Sequence, residues 1–146
     1  MGQVLEIAIS QHAKGHMESV NTVNVIAGKG IVKDRKFKDN NEKERQITLI
    51  EIENIKHYNR ISGTTISAID FRRNIITEGI QLNNLINKEI AIGEVKIKVH
   101  DLCRPCKYLQ DSLNQKNFIK ELLHKGGLRC EILSNGKISV GDKIQI

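Results

Sequence analysis

Short segments rich in isoleucine and valine, in which apolar and polar residues alternate, recur along this chain. The clearest is residues 95–99, where Val95, Ile97 and Val99 are separated by lysines. A period of two residues places the apolar side chains on one face of a strand and the charged side chains on the other. The segment therefore predicts a strand that is buried on one face only.

Further elements are predicted from composition, period and turn residues. Strands are expected at residues 4–10, 21–27, 46–50 and 128–133, with one or two more within 137–146. Helices are expected at 51–61 and 117–125, a single helical turn at 82–86, and a hairpin turn at Asn135 and Gly136. The charged segment 31–45 is interpreted as a solvated, mobile connection. Many short strands with two helices indicate a β-rich α+β chain and a single barrel-like domain over residues 1–146.

The overall composition sets limits on where the protein works. A chain of 146 residues with 39% hydrophobic residues can bury one real core. No apolar run is long enough to cross a bilayer, and the N-terminus does not resemble a signal peptide, so we expect a cytoplasmic protein without a membrane partner. The cysteine number, three, is odd, which argues against a disulfide framework in a chain without an export signal.

The net charge of +6 raises the question of an anionic partner. Aromatic residues make up only 3% of the chain, which leaves few rings for stacking on bases. The composition therefore argues against nucleic acid and favours a small anionic ligand such as a phosphate.

Directly after the strand at 95–99, the chain enters a Cys-x-x-Cys segment formed by Cys103 and Cys106. Arg104 and Lys107 lie beside these cysteines, and a nearby cation favours the thiolate, which is the form that attacks sulfur or binds metal. Three interpretations remain open at this point. The cysteines could form a dithiol redox pair, they could bind zinc together with His100, His124 or Cys130, or they could be small core residues.

Two further segments carry candidate binding residues. In the first, Arg72 and Arg73 precede Asn74 on a predicted extended segment, where neighbouring side chains point to opposite faces. One arginine could then enter a site while the other stays in water or pairs with an acid; an arginine fork suits phosphate, and an asparagine suits the edge of a heterocycle. In the second, Asp34 and Arg35 lie within the charged connection, where turn chemistry is the plainest interpretation.

In their order along the chain, several segments resemble the MOSC domain, named for the C-terminal domain of molybdenum-cofactor sulfurases. The matching segments are Gly30-Ile31-x-x-Asp34-Arg35, residues 45–50, Phe71-Arg72-Arg73-Asn74 with the residues that follow to Ile80, Ile92-Gly93-Glu94, Cys103-Arg104-Pro105-Cys106, residues 127–133 and Val140-Gly141-Asp142. The match runs from about residue 5 to the end, and this chain is similar to the small stand-alone members. Lys33 occupies a position where glycine is usual in the Gly-Asp-Arg motif.

The resemblance implies a β-barrel fold and a site that handles molybdenum cofactor (molybdopterin) or sulfur. It implies that Cys106 is the central residue, which carries persulfide sulfur or ligates molybdenum, and that Cys103 resolves a persulfide or supports the loop. Arg72 and Asn74 would contact the pterin and its phosphate, Asp34 and Arg35 match the Gly-Asp-Arg motif, and Arg104 would add positive potential. Pyridoxal phosphate is not expected to bind this chain.

The resemblance leaves three functions open. The leading one is binding of molybdenum cofactor in sulfur or cofactor transfer to a molybdoenzyme, with a cysteine desulfurase as a candidate sulfur donor. The second is a molybdenum-dependent reductase of N-hydroxylated compounds, whose electrons come from a separate donor protein. The third is a structural domain stabilised by zinc, with Cys103, Cys106 and Cys130 as ligands.

Overall fold

The computed structural model describes residues 2–104 and 107–146. Its strands are Gly2–Ile9 (β1), Glu18–Val20 (β2), Thr22–Ile26 (β3), Gly30–Ile31 (β4), Ile47–Glu51 (β5), Ile75–Glu78 (β6), Glu89–Ile92 (β7), Val95–Leu102 (β8), Leu128–Ile132 (β9), Gly136–Ser139 (β10) and Lys143–Gln145 (β11). Its α-helices are Ile52–Ser62 (α1), Lys107–Ser112 (α2) and Phe118–Glu121 (α3), and short 3₁₀ turns occupy Lys43–Arg45, Ala68–Phe71 and Leu82–Leu85. None of the described helices has the length and apolar character needed to span a bilayer.

The larger sheet closes on itself and forms the barrel. Its order is β11-β7-β8-β9-β5-β6-β1-β2, and β11 also pairs with the start of β1, where Gly2 lies opposite Ile144. This pairing joins the two ends of a seven-stranded ring, with β2 added beside the far half of β1. Closure leaves the barrel strands without a long free edge, which a β-rich chain must otherwise protect from aggregation. The predicted β-rich barrel with a few short helices is confirmed.

One pair of barrel strands is parallel and therefore requires a crossover. β5 pairs in parallel with β6, and α1 makes the connection. The helix buries Ile52, Ile55 and Tyr58, and ends at Gly63, whose φ of 68° lies in the left-handed region. These three buried side chains recur at helical spacing, so the helix predicted at 51–61 is confirmed with its boundaries shifted by one residue.

A second, three-stranded sheet lies beside the barrel in the order β10-β3-β4. Its apolar residues, including Val25, Ile31 and Ile138, belong to the same buried cluster as the barrel interior. A separate apolar cluster forms where α1 meets Phe71, Leu109 and Phe118. The small sheet matters for function because β4 leads directly into the segment that contains Asp34 and Arg35.

The predicted hairpin at Asn135 and Gly136 is wrong. β9 is paired with β8 on one side and with β5 on the other, so no edge of β9 is available to β10. β10 pairs with β3 instead, and the Asn135 side-chain oxygen accepts a hydrogen bond of 2.7 Å from the Ala27 backbone N–H. The Asn-Gly pair turns the chain from one sheet to the other.

The helix predicted at 117–125 is shorter than expected. Only α3 has α-helical structure, and His124 has a φ of 65°, which ends helical continuation. Phe118 and Leu122 are buried, whereas the Leu123 side chain is 53% exposed. The apolar spacing in this segment thus comes from Phe118 and Leu122, which anchor it to the core. The residues after Leu122 form a turn that leads to Gly127.

Candidate functional site

The segment after β4 is fixed by the buried carboxylate of Asp34. One carboxylate oxygen accepts hydrogen bonds from the Ser10 backbone N–H at 3.1 Å and from Arg35 Nη1 at 3.3 Å. The other accepts a hydrogen bond from the Lys36 backbone N–H at 3.3 Å. Asp34 therefore ties this segment to the end of β1 and orients the next two residues, which are both basic. The description of residues 31–45 as solvated is wrong for Asp34, which is 5% exposed.

Arg72 and Arg73 reach two different parts of the molecule. Arg72 ends the turn Ala68–Phe71 in the left-handed region, with a φ of 64°, so the extended segment predicted here begins later. Its guanidinium donates a hydrogen bond to the Gly15 carbonyl. Arg73 Nε donates to the Gly126 carbonyl at 2.8 Å. Both guanidinium groups are therefore anchored to backbone, and neither forms an ion pair with an acid in the described part of the chain.

Asn74 is buried behind the site, at 1% exposure, and both polar atoms of its side-chain amide make hydrogen bonds. The side-chain oxygen accepts hydrogen bonds from the backbone N–H and the hydroxyl of Thr48, both at 3.1 Å. The side-chain nitrogen donates to the Ala8 carbonyl at 3.1 Å. Asn74 thus joins β1 and β5 at the start of β6, and this geometry gives it a positioning role through Thr48. A direct contact between Asn74 and a pterin stays a prediction; in this structure both polar atoms of the amide already contact protein partners.

The backbone carbonyls of Gly126 and Gly127 hold Arg73 and Cys103 in place. The Cys103 backbone N–H donates to the Gly127 carbonyl at 2.7 Å, next to the Gly126 carbonyl that receives Arg73. A Cβ on Gly127 would lie 2.0 Å from the Leu49 carbonyl oxygen, and its φ is 100°. Only glycine permits this close approach of β9 to β5. As a result, Cys103 and Arg73 are held side by side.

Cys103 lies in a cleft of about 300 Å³, which we call the thiol cleft. Its lining residues are Lys36, Glu44, Arg45, Thr48, Arg73, Cys103, Arg104 and Arg129. Two of its cations face carboxylates, since Arg129 lies 3.7 Å from Glu44, and Arg104 lies 3.8 Å from Asp101. Among the described residues, the thiol cleft therefore combines one thiol with five cationic side chains.

A second cleft, of about 340 Å³, adjoins the thiol cleft and shares Lys36 and Arg45 with it. Its lining residues are Ala13, Lys14, Arg35, Lys36, Phe37, Lys38, Asn41, Arg45, Arg72 and Tyr108. Within the described part of the chain, the two clefts together carry nine cations and one lining carboxylate, that of Glu44. Such an excess of arginine and lysine favours an anionic ligand.

Lys36 is a cation of this site with a strongly lowered pKa. Burial, with a smaller contribution from the neighbouring Arg35 and Arg73, lowers its pKa to about 8, while Cys103 and Asp34 act in the opposite direction. Burial also lowers the pKa of Arg35. Within residues 2–104 and 107–146, Lys36 Nζ makes no hydrogen bond or ion pair. Because a charged, half-buried amine without a partner is costly, an anion bound here would gain a strong donor.

The three cysteines differ in their surroundings. Cys103 is 6% exposed and lines the thiol cleft. Cys130 is fully buried in the barrel, and burial raises its pKa well above the ordinary thiol value, with a further contribution from Cys103. Cys106, the predicted central residue, lies outside the described residues. Burial with a raised pKa makes Cys130 an inert core residue.

The geometry bears on the zinc interpretation as well. No group of three or more His, Cys, Asp or Glu side chains suited to a metal ion occurs within residues 2–104 and 107–146. His100 Nε2 lies 2.9 Å from a Glu131 carboxylate oxygen on the neighbouring strand, which gives this histidine a different partner. A zinc site that includes Cys106 stays a prediction, because Cys106 lies outside the described residues.

Comparison with known proteins identifies the family. A sequence model of the MOSC domain matches residues 25–145. The chain belongs to the MOSC domain family. The family is generally associated with binding of molybdenum cofactor. A search of curated protein sequences gives no significant match.

Solved structures share the fold of this chain. The YuaD protein from Bacillus subtilis superposes with a TM-score of 0.83 at 18% identity, over 99% of this chain and 94% of the other. YiiM from Geobacillus stearothermophilus gives 0.77 at 16% identity, over 99% of this chain and 74% of YiiM. YiiM from Escherichia coli gives 0.78 at 16% identity, over 99% and 69%. At these identities the likeness establishes the MOSC fold alone.

The structure groups the MOSC residues predicted from sequence into two clefts and a supporting layer. Cys103 and Arg104 line the thiol cleft, whereas Arg35 and Arg72 line the second cleft. Asp34 and Asn74 lie behind them as hydrogen-bonding supports. Sequence reasoning did not assign several of the lining residues to the site, among them Lys36, Arg45, Arg129 and Tyr108. Of these, Arg129 had a usable signal, because it alternates with the buried Leu128 and Cys130 along β9.

Proposed function

We propose that this MOSC protein binds molybdenum cofactor across the two clefts and acts in sulfur or cofactor transfer to molybdoenzymes. The observation that carries the proposal is the meeting of a thiol with a cluster of cations in the thiol cleft. Soft thiolates suit molybdenum and sulfane sulfur, and arginine suits phosphate. A thiol without the cations, or cations without a thiol, would fit this function less well.

The residues present suit an anionic pterin that bears a phosphate. The clefts have volumes of about 300 and 340 Å³, which lie in the range of small-molecule sites. The two clefts adjoin at Lys36 and Arg45. Arg35 and Arg72 would hold the anionic part in the second cleft, and Arg104 would add positive potential beside the thiols. When bound, the cofactor supplies a molybdenum centre and its sulfur ligands.

The chain itself contributes thiol chemistry, charge and shape. Arg104 and Lys107 flank Cys106 in the sequence, and cations at this position favour a thiolate that can accept sulfane sulfur. Cys103 is held at the cleft by its bond to Gly127, which suits a supporting or resolving thiol. Asp34 and Asn74 act through Arg35 and Thr48 as positioning residues. A cysteine desulfurase as sulfur donor and a molybdoenzyme as acceptor are the proposed partners.

Elemental analysis for molybdenum and zinc tests this proposal directly. The protein is purified without oxygen from a host that makes molybdenum cofactor, as wild type, Cys106→Ser and Cys103→Ser. We expect Cys106→Ser to lose the metal or the persulfide, and Cys103→Ser to keep part of it. The mass of intact protein reports a persulfide on Cys106 as one added sulfur atom.

Each outcome leads to a different conclusion. Near-stoichiometric molybdenum that depends on Cys106 supports cofactor binding, and activity on N-hydroxylated substrates with an electron donor would then favour the reductase over the carrier. A persulfide on Cys106 without molybdenum supports sulfur transfer. Zinc alone contradicts both functions and favours the structural zinc domain. Equal loss in both cysteine variants, with the fold intact, contradicts the roles assigned to the two thiols.

A further inference from the structure

The loop at residues 11–17 connects β1 to β2, and we call it the strap. The Gly15 carbonyl of the strap accepts a hydrogen bond from Arg72, and the Met17 sulfur accepts one of 3.5 Å from Arg35 Nη1. Arg35 and Arg72 both line the second cleft. The strap is therefore attached to the same two arginines that would hold an anion in that cleft.

Two cavities adjoin the strap. One is the second cleft, and the other is a cavity of about 290 Å³, which we call the rear cavity and which residues 14–17 of the strap help to line. Lys14 and Tyr108 line both cavities, and Lys14 Nζ lies 5.3 Å from the centroid of the Tyr108 ring. Residues 11–14 and His16 are exposed, so few packed side chains resist a shift of the strap toward either cavity.

Lys14 meets different charges in the two cavities. Within the described part of the chain, the second cleft is lined by Lys14 and five further cations, with no carboxylate. The described lining of the rear cavity includes one carboxylate, Asp70, beside Arg72 and His16. Because like charges repel and opposite charges attract over several ångströms, the empty second cleft disfavours the approach of Lys14. An anion bound in that cleft reverses this preference.

We propose that the strap is a lid that closes over the second cleft when an anion is bound there, with Lys14 as the group that responds to the anion. Without the anion, Lys14 stays beside Tyr108 and the strap opens readily. With the anion, Lys14 is drawn toward the second cleft and the strap closes. The inference rests on the proposed function, because the anion there is the phosphate of the pterin. It adds a regulated step, since a bound cofactor leaves only when the strap opens.

Limited proteolysis of the full chain tests the closure. Subtilisin, a protease of broad specificity, is added with inorganic phosphate as the probe or with potassium chloride at the same ionic strength, and intact mass locates each cut. When opening is fast relative to cleavage, the cleavage rate follows the population of the open strap. If phosphate binds only the closed strap, a concentration of about ten times the Kd, taken from calorimetry, should slow cleavage within residues 11–17 by about tenfold.

The connection between α2 and α3, at residues 113–117, is the internal control. Cleavage there should change by less than about twofold, because ionic strength is held equal and these residues carry no cation of either cleft. Unchanged or faster cleavage of the strap in saturating phosphate overturns the inference, and so does a failure of phosphate to bind.

A matched pair of variants tests the role of Lys14. Lys14→Gln removes the charge of the strap, and Lys56→Gln removes an exposed lysine from α1, so both variants change the net charge equally. Each variant is digested with phosphate at about ten times its own Kd. We expect phosphate to slow cleavage of the strap by less than about twofold in Lys14→Gln and by about tenfold in Lys56→Gln, as in the wild type. Equal slowing in both variants shows that Lys14 does not close the strap and overturns the inference.

Metal analysis separates this inference from the proposed function. Wild-type protein that contains molybdenum is digested beside protein from a host that lacks the cofactor. Slower cleavage of the strap in the molybdenum-containing protein supports the lid. Equal cleavage of the two preparations overturns the inference and leaves the proposed function intact. A strap that closes on phosphate, in a protein that never contains molybdenum or persulfide, overturns the proposed function while the inference stands.

Discussion

The barrel interior and the two clefts lie next to each other but are built from opposite kinds of residue. Inside the barrel, the buried cluster consists almost entirely of isoleucine, valine and leucine, supplied by every strand of the ring. Around the clefts, the described lining residues include nine cations and one carboxylate, and two of the cations, Arg72 and Arg73, donate hydrogen bonds to backbone carbonyls. Burial of apolar area stabilises the first region, whereas desolvated charge makes the second one costly.

This difference shows which part of the molecule lowers the stability of the fold and which part compensates for it. The apolar side chains buried by every strand of the barrel offset the cost of the charged clefts. Asp34, Asn74 and Gly127 attach the clefts to the barrel, each through contacts that no neighbouring residue makes in its place. We therefore expect large effects where the cleft is attached to the barrel, and small or even stabilising effects within the cleft itself.

The largest expected effect is at Gly127, where β9 approaches β5. Gly127→Ala should reduce the free energy of unfolding by more than about 4 kcal/mol, or prevent folding, because the new Cβ meets a backbone carbonyl. Urea unfolding measures the loss. Gly28→Ala is the control, since Gly28 has a φ of 77° but a Cβ added there would meet no heavy atom within 4 Å, and the change should cost only about 1–2 kcal/mol. Similar costs at both positions would contradict the close approach.

Asn74→Ala should have the next largest effect, a loss of about 3 kcal/mol in the free energy of unfolding. The change leaves the Thr48 backbone N–H and the Ala8 carbonyl without their buried partner. Asn83→Ala provides a comparison, because Asn83 makes one exposed hydrogen bond, to the His124 carbonyl, and should cost less than about 0.5 kcal/mol. A loss below about 1 kcal/mol at Asn74 would mean that water replaces the amide.

The same contrast explains what the sequence could predict. β8 and α1 were predictable because period and burial are local, as in the alternation of Val95, Ile97 and Val99. The partner of a strand is not local, and for this reason Asn135 and Gly136 suggested a hairpin although β9 was already paired on both sides. The pairing of β10 with β3 depends on segments more than a hundred residues apart.

The candidate site was predictable only as far as its residues lie in recognisable motifs. Arg35, Arg72 and Cys103 were found in this way, whereas Lys36 lies in a polar run that is typical of solvated loops. Its burial follows from the turn made by Asp34 and from the approach of Arg73, which no short-range pattern contains. Residues that acquire their chemistry from distant segments require a structure to be recognised.

Lys36→Met should stabilise the protein at neutral pH while it weakens anion binding. The folded pKa of about 8 lies below the ordinary 10.5, so the folded state binds this proton less tightly and the charge costs stability below pH 8. The free energy of unfolding of the wild type should then rise as pH increases from about 8 to 10.5.

After allowance for solvent at the clefts, we expect Lys36→Met to raise the free energy of unfolding by about 1 kcal/mol at pH 7. The increase should become small at about pH 10. Urea unfolding at the two pH values measures it. The control is Lys56→Met, on the exposed face of α1, which should change neither value. A destabilised Lys36→Met at pH 7 would show that the ammonium is stabilised by a partner.

The smallest expected effect is at Lys33, where the usual glycine of the Gly-Asp-Arg motif is absent. Lys33 has a φ of 75°, a conformation that costs a residue with a Cβ about 1–2 kcal/mol. Glycine avoids this cost, but it loses more conformational freedom on folding, which offsets part of the gain. Lys33→Gly should therefore stabilise the protein by up to about 1 kcal/mol, measured by urea unfolding. Lys116→Gly, at an exposed position without a positive φ, should be destabilising by a similar amount. If both changes destabilise the protein, the left-handed turn is not what links β4 to Asp34, and the cost of the cleft must lie in its charges alone.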